Sequence, residues 1–125
     1  MEISGAPLSG IFFIATSMLS DQQFQSVSES AFTRLQRDLE KAAEKYGFEV
    51  DRNQGALTIE FEDPPAKFVV SPNSPVKQIW ISARVKSFKL NWDAASTSFV
   101  FEDGRNLHTL IADLVSEQIH DSVTL

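Results

Sequence analysis

The first regular spacing of apolar residues follows Ser20-Asp21-Gln22-Gln23. A Ser with Gln three residues on suits a capping box, in which each side chain satisfies the other's backbone amide. Apolar residues then recur at Phe24, Val27, Ala31, Leu35, Leu39, Ala42 and Tyr46. Gaps of three and four draw one stripe on a long helix, and Gly47 supplies its C-terminal stop. The period then drops to two. Phe48 to Asp51 predicts a short strand, and Arg52-Asn53-Gln54-Gly55 a turn in which Asn and Gly suit positive φ. Leu57, Ile59 and Phe61 alternate with Thr58 and Glu60 until Asp63-Pro64-Pro65 interrupts them. Phe68-Val69-Val70 predicts the next strand, closed by Pro72-Asn73-Ser74-Pro75. Lys77 to Ser82 predicts another, with Ile79 and Ile81 on one face and Gln78 and Trp80 on the other. Phe88, Leu90 and Trp92 alternate with Lys89 and Asn91, and Phe99 and Phe101 share a face in a last strand. After Asp103-Gly104, Asn106 is expected to cap a second helix with Leu107, Leu110, Ile111, Leu114 and Val115 as its apolar band.

Hairpin-length turns imply an antiparallel sheet, because parallel pairs need long crossovers. The expected fold is therefore an α+β, two-layer α-β sandwich. Five or six antiparallel strands carry the N- and C-terminal helices on one face, and the other face stays wet. One domain is expected over residues 20–122. Residues 1–19 are expected as a non-core extension, with Met18 an alternative start.

Composition narrows the chemistry. The 125 residues are 42% hydrophobic and 22% charged, a globular balance. The absence of cysteine excludes a disulfide framework, a thiol nucleophile and any thiolate-held zinc or iron–sulfur cluster. Eleven basic against seventeen acidic residues give a net charge of −6, which disfavours nucleic acid and anionic membranes. Cations and basic protein surfaces fit better. No apolar stretch reaches the roughly 18–20 residues of a membrane span. Ile11 to Ala15 lacks a basic flank, and no Arg or Lys precedes Arg34, so neither a secretory signal nor a mitochondrial presequence is evident.

Two places carry candidate chemistry. An outward Trp80 on an uncovered sheet would gain from a protein partner, with Gln78 and Lys89 beside it; shielding by neighbouring side chains or by the N-terminal extension is the alternative. Asp38, Glu40, Glu44, Glu49 and Asp51 would converge if the helix end and the first strand adjoin, and oxygen ligands suit hard cations and iron. Interleaved Lys41 and Lys45, bracketed by Arg37 and Arg52, leave an ordinary solvated face as the competing reading. His108 and His120 are twelve residues apart and cannot chelate one metal. Phosphate loops, dinucleotide fingerprints and nucleophile elbows are absent, so no independent active site is expected.

Pro75-Val76-Lys77-Gln78-Ile79-Trp80-Ile81-Ser82 resembles the P-N-K-Q-I-W-L-S strand of frataxins. Gly55 to Ile59 is similar to the family's G-V-L-T-I/V segment. Asp103 to Leu110 is similar to its D-G-x-S-L-H-E-L helix start, and Trp92 matches the Trp ending the preceding strand. The likeness spans about residues 21–120. It implies an α-β-α sandwich acting in iron–sulfur cluster assembly, without a bound cluster of its own. It implies weak, exchangeable iron on an acidic ridge, here Asp38, Glu40, Glu44, Glu49 and Asp51. It also implies that the sheet face of Gln78, Trp80 and Lys89 binds a cysteine desulfurase–scaffold complex and modulates sulfur transfer. An iron chaperone, donor or store acting through the ridge, with a weak ferroxidase activity, is the alternative. The implied protein is a monomer of the bacterial cytoplasm, or of the mitochondrial matrix in a eukaryote. Val76 in place of Asn and Thr109 in place of Glu depart from the pattern, and Lys41 and Lys45 thin the ridge.

Overall fold

Ser20 caps the long helix that its spacing predicts. Its Oγ accepts the Gln23 amide at 3.1 Å, and Gln23 Oε1 accepts the Ser20 amide at 2.9 Å. A computed structural model describes residues 19–125, beginning just before this cap. Helix α1 (Asp21–Tyr46) ends at Gly47 with φ +83°, in the left-handed region where a side chain would be strained. Six strands follow: β1 (Glu49–Asn53), β2 (Ala56–Glu62), β3 (Pro65–Asn73), β4 (Gln78–Ala83), β5 (Lys86–Asp93) and β6 (Ser98–Val100). Helix α2 (Leu107–Ile119) closes the order, with Asn106 Oδ1 accepting the Thr109 amide at 2.9 Å. Thr109 returns no side-chain bond, so this cap is one-sided.

Each strand pairs antiparallel with the next, in the order β1-β2-β3-β4-β5-β6. The α+β sandwich expected above is therefore the observed fold, with six strands. Its details differ where the register decides. Asn53 pairs with Ala56, leaving only Gln54 and Gly55 to turn the chain, at φ +53° and +85°. Two successive positive φ values match the twist of a hairpin, and Gln54 takes the one expected of Asn53. Pro72 does not end β3; it pairs with Ile79 beyond the last β2 contact, Leu57 with Val70, so its missing donor breaks no bond on that side. A 3-10 turn at Ser74–Val76 puts Lys77 at φ +54°, so β4 starts at Gln78, one residue later than expected.

The core lies between the helices and the inward sheet face. Leu57, Ile59, Phe68, Val70, Ile79, Ile81 and Leu90 are sealed beneath Phe24, Phe32, Leu35 and Leu39 of α1 and Leu110, Ile111 and Val115 of α2. Phe32 lies outside the apolar stripe drawn above yet is buried, whereas Val27, Ala42 and Tyr46 are only partly covered. A sheet is wider than a single helix seam, so α1 buries a broader band, including Ser28, whose Oγ donates to the Gln25 carbonyl. The core also exceeds the expected limits. Leu19 packs on one end, and Val123 and Leu125 on the other, where Ser116 Oγ holds the Val123 amide and carbonyl. The expectations for residues 1–18, including Met18, lie outside the described residues.

Replacing Phe32 with Ala should cost about 3–5 kcal/mol in urea unfolding, against less than about 2 kcal/mol for Val27→Ala. Equal costs would contradict the assignment of Phe32 to the centre of the core.

Candidate functional site

Alternation along β4 sends Ile79, Ile81 and Ala83 into the core and leaves Gln78, Trp80 and Ser82 on the side that neither helix among the described residues covers. Register then assembles a cluster from two strands. Trp80 lies opposite Lys89, and Gln78 opposite Asn91. Trp80 remains 38% exposed, although its neighbours shield part of it. Its Nε1–H donates to Gln78 Oε1 at 2.9 Å, and Gln78 Nε2 donates to Asn91 Oδ1 at 3.1 Å. Lys89 Nζ lies 4.9 Å from the ring centroid, a cation–π distance. Beside the indole runs a groove of about 290 Å³, lined by Val69, Ser71, Ser82, Ser87 and Phe88. Val76, where the frataxin pattern has Asn, is exposed just before β4.

The acidic residues divide into two places. Glu40, Glu44, Glu49 and Asp51 surround one shallow depression of about 520 Å³ between α1 and β1. Glu60, not singled out from the sequence, joins them: β1–β2 pairing sets it directly opposite Glu49. Like charges facing across a ladder destabilise it, which makes this edge receptive to positive charge. None of these five carboxylates makes an ion pair among the described residues; Glu40 accepts only the Gln36 amide, at 3.2 Å. Arg52, expected to bracket the run, points the other way. It faces Leu57 on the inward side, pairs with Glu29 at 2.9 Å and lies over Phe32. Lys45 leans on the Tyr46 ring. Among the described residues no three His, Asp or Glu side chains are grouped to enclose a metal ion. A cation at this edge would therefore be held loosely, by open carboxylates.

Asp38 does not join the other four. It pairs with Arg37 at 3.7 Å and with His108 Nε2 at 3.4 Å, tying α1 to the start of α2. Half-burial in a groove between the helices and the β5–β6 end pushes the His108 pKa below 6.5, and Arg34 and Arg37 add to this, while Asp38 opposes it. Asp103 and Arg105 stabilise the turn before α2. Arg105 donates to Asp103 and reaches Asp113 at 3.0 Å, holding the Asp103 carboxyl below its usual range. His120 caps the far end of α2 at φ +57°.

These shapes have known counterparts. The frataxin-like domain family matches residues 17–121 of this chain. The iron-sulfur cluster assembly protein CyaY of Dechloromonas aromatica is 32% identical over 107 residues, 86% of this chain and 99% of that protein. The CyaY of Ralstonia pickettii is 27% identical over 109 residues, covering 86% and 95% of the two chains. A solved frataxin from Psychromonas ingrahamii superposes with a TM-score of 0.69 at 18% identity, over 85% of this chain and 97% of its own, a likeness of fold. The chain belongs to the frataxin-like family, whose bacterial relatives are named for iron–sulfur cluster assembly. No helix among the described residues is long and apolar enough to cross a membrane.

Because the folded state favours neutral His108, it binds fewer protons than the unfolded chain between the lowered pKa and 6.5. Stability contributed by His108 is thus full above 6.5 and falls as pH drops toward the lower value. Urea midpoints at about pH 5 and pH 7 should differ more for wild type than for His108→Gln. An equal or smaller difference in the wild type would contradict the burial assigned to His108.

Proposed function

We propose that the chain serves iron–sulfur cluster assembly chiefly as a docking module, with the open sheet face as its contact surface. The observation that carries this reading is Trp80: a residue 38% exposed on the sheet face that neither described helix covers, its indole braced on its edge and its face. Trp is characteristic of interface centres. The partner inferred is the cysteine desulfurase–scaffold complex, and the consequence of docking is modulation of sulfur transfer. Glu49, Glu60 and Asp51 share the open face with Trp80, two or three strands away, so they would steer toward a basic surface on that partner. The setting is cytoplasmic, and the chain itself docks as a monomer.

The second reading is iron handling at the same acidic edge. Unpaired carboxylates at Glu40, Glu44, Glu49, Asp51 and Glu60 favour it, with Fe²⁺ or Fe³⁺ as exchangeable cargo. Asp38 has little part in it, because its carboxylate is taken by His108 and Arg37. The two readings are compatible, since docking and iron would use adjoining parts of one surface.

Trp80→Ala should weaken binding to the desulfurase–scaffold complex by about 2 kcal/mol or more, roughly thirtyfold in dissociation constant. An unchanged constant in a calorimetric titration would remove the docking role. Anaerobic Fe²⁺ titration followed by NMR should perturb residues 40–51 and Glu60 selectively. Shifts centred instead on Asp38 and His108, or spread evenly, would contradict the second reading.

A further inference from the structure

We propose that Asn91 is a positioning residue for the docking surface: through Gln78 it fixes the Trp80 indole in the orientation a partner meets. This rests on the reading of that face as the docking surface, and adds a residue whose own contact with the partner is not required. The geometry is a relay on two strands. Trp80 Nε1–H donates to Gln78 Oε1 at 2.9 Å, and Gln78 Nε2 donates to Asn91 Oδ1 at 3.1 Å.

The relay has only one consistent polarity. An indole N–H is a donor and never an acceptor, so it demands the carbonyl end of the Gln78 amide. That leaves the Gln78 NH₂ pointing at β5, where it needs an acceptor. Cross-strand register brings residue 91 opposite residue 78, and Asn91 supplies the acceptor there. Without it, the Gln78 amide would turn freely in water, and its carbonyl would no longer be held at the indole edge. Lys89, two residues along β5 on the same face, braces the ring face at 4.9 Å. Trp80 is therefore fixed on two sides by one strand, edge-on through Asn91 and face-on through Lys89. A surface aromatic that is already ordered loses less conformational freedom on binding.

The chemistry predicts which replacements matter. Asn91→Leu removes the acceptor. Asn91→Asp keeps one, because a carboxylate only accepts, and so preserves the polarity of the relay. In the free, ¹⁵N-labelled full chain, Asn91→Leu should move the Trp80 indole Nε1–H resonance, with the Trp92 indole as internal reference. Asn91→Asp should leave it hydrogen-bonded. Dissociation from the immobilised cysteine desulfurase–scaffold complex should be about 3- to 10-fold faster for Asn91→Leu and within about 2-fold of wild type for Asn91→Asp. An unmoved indole resonance in Asn91→Leu would overturn the positioning role, and so, where Trp80→Ala weakens binding, would equal dissociation rates for the two variants. Trp80→Ala, measured in parallel, separates the two ideas. If it binds like wild type, the docking reading has failed, and the resonance in the free protein still decides whether Asn91 holds the indole.

Discussion

A strand must send successive side chains to opposite sides, and among the described residues this sheet has helices on one side only. Most of what the surface does follows from that constraint. The inward set of β4, Ile79, Ile81 and Ala83, is sealed under the helices, which fixes the register by its burial. With the register fixed, Gln78 and Trp80 cannot turn away from water. The same pairing brings Lys89 and Asn91 beside them and sets Glu60 against Glu49. A one-residue slip would exchange the two sides and destroy the core and the surface cluster together. Stability of the fold and exposure of the indole are thus two results of one packing arrangement.

Burial and charge work in different directions on this frame. The core stabilises the molecule without reference to any partner. At the acidic edge, five carboxylates sit with no cationic partner among the described residues, and two of them face each other across a ladder. Arg52 could have offset them, but its side of β1 faces α1, where it pairs with Glu29 and covers Phe32. An edge left electrostatically unfavourable in the free molecule has more to gain from a basic surface or a metal cation. The Trp80 cluster contributes the other component, an ordered apolar contact. Glu49, Asp51 and Glu60 share the sheet face of that cluster, while Glu40 and Glu44 reach the edge from α1.

Much of the fold was legible in the chain because its cues were local. The Ser20–Gln23 box, the period of α1, Gly47 and the two-residue alternation each require only neighbouring residues. The outward placement of Trp80 followed from Ile79 and Ile81 alone. What escaped depended on pairing at a distance. Glu60 read as the polar side of β2 until its partner in β1 was known, and the Gln78–Asn91 bond is visible only in the register. Asp38 is a different case. Residues 38 and 40 stand about 200° apart around a helix, so helical geometry already separated Asp38 from Glu40 and Glu44. Arg52 likewise alternates away from Asp51 on β1. Phe32 was hidden because a helix on a wide sheet buries more than a single seam.

The most direct test of the account is to map which side of the chain a partner covers. In a cross-saturation NMR experiment with deuterated ¹⁵N-labelled chain and protonated desulfurase–scaffold complex, attenuation should centre on Val69, Ser71, Gln78, Trp80, Ser82 and Lys89. It should extend toward Thr58 and Glu60 and spare the solvent side of α1. Attenuation centred on Gln25, Ser30 and Thr33 of α1, with the indole of Trp80 untouched, would contradict it.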